Sequence, residues 1–167
     1  MGRISVSAGR VKGWTTHMPM ILKVMLNSTG PVLEAGGGPY STPLLHWLCK
    51  IQGRDLVTYE DTPLFYEMCH MFTSRHHKII FVEDWDTMDF NTHWGVVFID
   101  HHPALRRGTD VLNFKDKADY IIMHDTQAEA EYDYARVWEH FKYRYDYKDV
   151  MPWTSVVSNF KPLDFLK

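Results

Sequence analysis

The sequence predicts an α/β fold, a doubly wound sheet of seven strands that is mostly parallel with its last strand antiparallel. Three observations carry that reading. Short apolar runs alternate with helical segments over most of the chain, the pattern of a parallel sheet covered on both faces. A triple-glycine loop follows the first apolar run and leads into a helix. Two late runs, joined through Met151-Pro152, are spaced as an antiparallel hairpin. At 167 residues, with 45% hydrophobic and 23% charged residues, the chain has the length and composition of a single globular domain.

The elements follow in order. Residues 1–15 are rich in Gly, Ser, Arg and Lys and are expected to form an arm that orders only against a partner or ligand. Residues 16–31 hold an N-terminal helix and turn, with Thr15 or Thr16 as cap and Met18, Ile21, Leu22 and Met25 on one face. Asn27 to Pro31 stops that helix. Parallel strands are expected over Val32–Ala35, Leu56–Glu60, Lys78–Val82, Trp94–Asp100 and Tyr120–His124. Helices are expected over Ser41–Cys49, Pro63–Phe72, Ala104–Asn113 and Ala128–Phe141, and the hairpin strands over Lys142–Tyr147 and Trp153–Ser158.

Composition excludes several function classes. Eighteen Lys and Arg against 21 Asp and Glu give a net charge of −3, which offers no footprint for bulk nucleic-acid binding. Tyr132, Tyr134 and Trp138 stand among Glu129, Glu131 and Asp133, so that aromatic stretch reads as core and interface rather than as a base-stacking platform. The most apolar early stretch, Met18 to Leu26, contains Lys23 and is too short to span a bilayer, so no membrane partner is expected. Cys49 and Cys69 are far apart without a C-x-x-C context and read as reduced core thiols of a cytoplasmic protein.

The strongest motif is Val32-Leu33-Glu34-Ala35-Gly36-Gly37-Gly38-Pro39-Tyr40-Ser41, a buried strand turning through glycines into a helix. Glycine lets the backbone turn tightly and approach a ligand, and the helix start offers free N–H groups to an anionic group. A dinucleotide fingerprint would need glycine at position 41, where Ser41 stands, and no Gly-Lys-Ser/Thr run marks a P-loop. Glu60 ends the second strand, where a carboxylate accepts hydrogen bonds from ribose hydroxyls, and the adjacent Asp61 is the alternative for that role.

These residues resemble the class I S-adenosylmethionine-dependent methyltransferases across about residues 32 to 158. The resemblance rests on the E-x-G-x-G loop, Glu60 after the second strand, Val82-Glu83-Asp84-Trp85 after the third and Phe98-Ile99-Asp100 after the fourth. It implies a Rossmann-like fold and S-adenosylmethionine as cofactor. It also implies that Glu34, Gly36, Gly37 and Gly38 hold the methionine part and Glu60 the ribose, with Asp84 near the adenine amine, Trp85 flanking the ring and Asp100 on the same wall. Tyr40 stands where many members carry a third glycine and would narrow the pocket.

Asp100-His101-His102-Pro103 and His124-Asp125-Thr126 end adjacent strands, so their side chains should meet at the ligand crevice. Carboxylates beside imidazoles suit a divalent cation, Mg2+ or another, with Asp100, Asp125 and His124 as ligands; equally, either aspartate suits a helix cap. His101 or His124, with Asp100, would take a proton from a substrate. The pair is similar to that of metal-dependent small-molecule O-methyltransferases, in which Thr126 would fall at a third ligand position. Asp100-His101-His102-Pro103 alone also resembles the signature of DHH phosphoesterases. Arg106 and Arg107 read as a solvated helix face. The expected activity is methyl transfer to an oxygen of a small molecule; a DHH-like phosphoesterase and a non-catalytic cofactor-binding protein are the alternatives. A second copy of the chain would supply a pocket wall that so short a sequence lacks.

Overall fold

A computed structural model describes residues 13–167, so most of the expected arm, residues 1–12, lies outside the described residues. The elements run α1 (Met18–Leu26), β1 (Val32–Ala35), α2 (Ser41–Gln52), β2 (Leu56–Glu60), α3 (Pro63–His70) and β3 (His77–Phe81). They continue through β4 (Trp94–Ile99), α4 (Arg106–Phe114), β5 (Ala118–His124), β6 (Tyr143–Tyr147) and β7 (Thr154–Ser158). The seven strands form one sheet in the order β3-β2-β1-β4-β5-β7-β6. Strands β1 to β5 are parallel, and β7 lies antiparallel between β5 and β6. Because β2 and β4 flank β1 on opposite sides, the chain leaves the carboxyl ends of β1 and β4 in opposite directions and opens a crevice there.

Strand alternation sorts the core into two layers. Along β4, Val97 and Ile99 face the layer containing Val111 and Phe114 of α4, while Val96 and Phe98 face the layer containing Met20, Ile21, Leu45 and Cys49. Both cysteines are free and buried. At the second-layer position of β1 the sequence places not an apolar residue but Glu34, fully buried. Among the described residues no helix is long and apolar enough to cross a membrane.

Three expectations are corrected. The buried face of α1 consists of Met20, Ile21, Val24 and Met25, with Leu22 exposed, and His17 rather than a threonine stands at the cap position. Thr16 instead turns its hydroxyl to Gly13 O (3.3 Å) and His124 Nε2 (2.9 Å). The helix expected over Ala128–Phe141 is a run of turns ending in a single 3-10 turn, Trp138–His140. The helical pattern is interrupted in its middle: Tyr132 O accepts from Gly108 N of α4 (3.1 Å), and Asp133 adopts φ +56°. Tyr134 is fully buried and donates its hydroxyl to His124 O (3.2 Å), which ties this segment to the end of β5.

Gly108 makes that close approach of backbones available, since a Cβ there would stand 2.3 Å from Asp133 O. Gly108→Ala is therefore expected to destabilise the protein by about 1 to 3 kcal/mol, as overpacking against backbone does. A urea midpoint unchanged from wild type would show that the 128–141 segment moves aside freely.

Candidate active site

A cavity of about 490 Å³ opens over the carboxyl ends of the central strands. The glycine loop, Tyr40, Ser41 and Glu60 line one end, and Asp100, His124, Asp125 and Arg107 line the other. Trp14 and Phe65, edge to face with centroids 6.3 Å apart, contribute aromatic wall near the mouth.

The loop is shaped by its neighbours. Gly36 has φ +92°, and a Cβ on it would lie 2.6 Å from Asp100 C and His101 N, so the loop lies directly against the end of β4. Behind it, Thr42 Oγ1 accepts from Gly38 N (2.9 Å) and donates to Glu34 Oε2 (2.9 Å). Thr58 Oγ1 donates to the same carboxylate oxygen (2.7 Å) and lies 2.8 Å from His77 Nε2, whose Nδ1 is 3.1 Å from His46 Nδ1. Burial pushes the Glu34 carboxyl up to about 7, against the hydrogen bonds of Ser41, Thr58 and Thr42. Glu34 thus stands behind the loop and holds it, away from the cavity wall.

Glu60 faces the cavity, its Oε1 accepting from Thr62 N (2.7 Å). Asp61 is turned the other way and accepts from Trp85 Nε1 (3.1 Å). Trp85 is buried, with its ring 4.2 Å from that of His101, and is not on the cavity wall. Asp84 is exposed and caps a 3-10 turn through Asp86 N (2.9 Å). Neither Asp84 nor Trp85 is on the cavity wall, because Trp85 turns inward onto His101 and Asp61 while Asp84 faces solvent.

At the opposite end, Arg107 joins the ends of two strands. It is 2% exposed, and its guanidinium lies 3.0 Å from Asp100 Oδ1 and 3.0 Å from Asp125 Oδ2, with Nε donating to His101 O (2.7 Å). The Tyr132 ring covers it at 4.4 Å. Arg107 is no solvated helix residue: it lies on the face of α4 shared with Asp110, Val111 and Phe114. That i, i+3, i+4, i+7 spacing was present in the sequence and would have found it. A guanidinium already bridges Asp100 and Asp125, so this carboxylate pair does not fit a divalent cation between them. Thr126, the third ligand position, is buried on Ser155 Oγ (2.9 Å) rather than on the cavity.

His124 lies 3.2 Å from Asp100 Oδ1 through Nδ1. Burial lowers its basicity, but the Asp100 carboxylate reverses this and raises it above the ordinary value. Burial likewise pushes Asp100 up, and His124 and Arg107 more than reverse it, holding the carboxyl at about 2. His101 is packed on Trp85 with Nε2 2.9 Å from Asp110 Oδ2, which takes its ring out of reach of a substrate. The residue sequence reading missed is His17, 3% exposed on the cavity wall, with its ring edge-on to His124 at 4.8 Å. Burial depresses it to about 4, so it is neutral at physiological pH. Its position at the start of α1 carries no local signal; only the tertiary fold brings it to β4 and β5.

Known structures share this architecture. Cofactor-bound Rv0187 from MTB is 18% identical, aligned over 96% of this chain and 84% of its own, with a TM-score of 0.63. The O-methyltransferase from Bacillus cereus in complex with SAH is 14% identical over 94% and 84%, TM-score 0.64. The chain has the methyltransferase fold. TomG, an O-methyltransferase from Streptomyces achromogenes involved in tomaymycin synthesis and solved with SAM, shows the same methyltransferase fold at 13% identity over 95% and 82%, TM-score 0.66. No protein-family model matches the chain, and no curated protein does.

The buried groups set a pH dependence. His17 and His77 both fall to about 4 from 6.5, chiefly through burial, so each contributes stability that is complete above pH 6.5 and is lost as pH falls towards 4. Glu34, raised from 4.5 to about 7, acts in the opposite sense, its contribution growing as pH falls from 7 to 4.5. His46 and His101 are lowered as well and act with His17 and His77, while Glu60 and His124 are raised and act with Glu34; His17 and His77, each approaching about 3 kcal/mol, give the net loss. Melting temperature is expected to fall between pH 6.5 and 4 and to fall more steeply in Glu34→Gln, which lacks the offset. A variant with a shallower acid slope than wild type would contradict this assignment.

Proposed function

We propose that the protein transfers the methyl group of S-adenosylmethionine to an oxygen of a small molecule. The observation that carries this reading is one cavity with the glycine loop and Glu60 at one end and the His17, Asp100 and His124 group at the other. The loop backbone and the inward-facing carboxylate suit an amino-acid-plus-ribose ligand. The far end suits an acceptor that must lose a proton. In the transfer the sulfur–methyl bond breaks with its electron pair kept by sulfur, the oxygen–methyl bond forms, and the acceptor's proton leaves towards that group. Holding donor and acceptor in line does most of the work, since the sulfonium is already an electrophile.

A small acceptor is favoured by a cavity narrowed by Trp14, Phe65 and Tyr40, and by the acidic charge balance. A cytoplasmic, reducing setting is favoured by two buried free thiols. The phosphoesterase alternative is disfavoured: two metals would need further ligands from the first strand, whose acid, Glu34, is spent behind the loop.

Calorimetric titration with S-adenosylhomocysteine tests the cofactor half of the proposal. Glu60→Ala is expected to weaken binding by about 1 to 3 kcal/mol, the range for losing hydrogen bonds to a charged acceptor. Asp84→Ala, at the exposed turn, is expected to leave it unchanged. No binding to wild type would overturn the cofactor assignment; binding without methyl transfer to any catechol, phenol or sugar acceptor would favour a non-catalytic cofactor-binding protein.

A further inference from the structure

We propose that the sheet edge at β3 docks a second copy of this chain across a two-fold axis, the two β3 strands pairing antiparallel. β3 stands at one end of the sheet and pairs with β2. In that parallel ladder Leu56 N donates to His76 O and Val82 N to Glu60 O. The even-numbered residues of β3 therefore turn their backbone groups to β2, and the odd-numbered ones turn theirs outward. Those of His77 are matched by Ser74, His77 N donating to Ser74 O and Ser74 N to His77 O. Ile79 and Phe81 remain, and among the described residues no backbone group meets their outward N–H and C=O.

The two edges of the sheet are guarded differently. β6, at the other end, alternates tyrosine with charge, and its Arg144 and Asp146 form an ion pair (2.8 Å). Charge on an edge strand discourages the addition of another strand. The middle of β3 instead reads Ile79-Ile80-Phe81, with Ile80 37% and Phe81 40% exposed. Free backbone groups flanked by exposed apolar side chains are what an added strand satisfies.

Charge selects the occupant. Arg75 and Lys78 precede the apolar run, Glu83 and Asp84 follow it, and all four are exposed. A segment ordered basic, apolar, acidic complements its own copy when the two run antiparallel and repels it when they run parallel. The neighbours His76 and Asp86 are engaged within the chain, by Asp55 (3.6 Å) and Arg106 (2.5 Å), which leaves Lys78 and Asp84 to the partner.

The free groups fix the register. With Ile79 opposite Phe81 of the partner subunit, both pairs exchange N–H···O=C bonds, and Ile80 meets its own counterpart at the closer, non-bonded position. Asp84 continues the extended backbone (φ −137°, ψ 118°), so Lys78 stands diagonal to Asp84 of the partner subunit on the same face. On the opposite face Phe81 is already held edge-on against Tyr66 of α3, with centroids 5.3 Å apart. Because the joined strands run in opposite directions, the two cavities open on opposite rims of the shared sheet. The second copy extends the sheet and walls neither cavity, so the proposal needs no cofactor and no methyl transfer.

The full chain, without any ligand, is examined by sedimentation velocity over about 1 to 500 μM, which spans the weak association expected of a short interface. Reversible dimers are expected, weakened by added salt through Lys78 and Asp84. Ile80→Lys sets like charges opposite each other and is expected to raise the dissociation constant roughly 10-fold or more; Lys78→Glu is expected to raise it several-fold. Circular dichroism confirms that both variants, changed at exposed positions, are folded. The register is read by cross-linking. Ile80→Cys, with its two copies about 4.5 Å apart between Cα atoms, is expected to form a disulfide-linked dimer under mild oxidant. Lys78→Cys, whose copies stand about 14 Å apart along the strands, is not. The native Cys49 and Cys69 are buried and do not compete. A chain monomeric throughout the range, a folded Ile80→Lys that dimerises as wild type does, or equal cross-linking of the two cysteine variants would overturn the proposal.

Discussion

The buried Arg107 guanidinium is the interaction on which the polar end of the cavity depends. It reaches from α4 to the carboxylates of Asp100 and Asp125 and to His101 O, so one side chain fixes the ends of β4 and β5 against each other. A guanidinium this far from water is tolerated only when its donors are matched, and removing one partner of such a group costs about 3 to 5 kcal/mol. The constraint runs both ways. With Arg107 in place Asp100 stays ionised at low pH and in turn raises the basicity of His124; without it two carboxylates would face each other across the same space.

The two glutamates of the cofactor end show how environment divides one chemistry into two roles. Glu34 and Glu60 both end or interrupt apolar strands, and burial raises both. Glu34 has its Oε2 satisfied by two threonine hydroxyls and is sealed off, whereas Glu60 is held by the Thr62 amide and reaches the cavity. Strand alternation decides this: at Glu34 the side chain points into the α2 layer, and at the last residue of β2 the strand has already emerged into the crevice.

The parts of the fold legible in the sequence were those whose periodicity is local. Runs such as Val32–Ala35 and Trp94–Ile99 could hardly be anything but central strands, and the triple glycine could only be a turn. The segment 128–141 was not legible, because its alanines and aromatics have helical spacing while Tyr132 O is claimed by Gly108 and the Tyr134 hydroxyl by the end of β5. In the site, Asp100, His124 and Glu60 could be placed from strand ends alone. His17 and Arg107 could not be placed that way, the first because it acts across 107 residues of chain to reach His124, the second because a neighbouring arginine masked its apolar face.

Gly38, Thr42, Glu34, Thr58, His77 and His46 are joined in a single hydrogen-bonded chain running from the glycine loop across the layer between the sheet and α2. Members of such a chain orient and polarise one another, so the worth of each is not its own property. Substitutions along it must be non-additive: once Thr58 is lost, changing His77 removes little that is still connected, and the double variant costs less than the sum of the singles. A histidine pair remote from the cavity is in this sense part of the loop that lines it, and sequence changes there are constrained together rather than one by one.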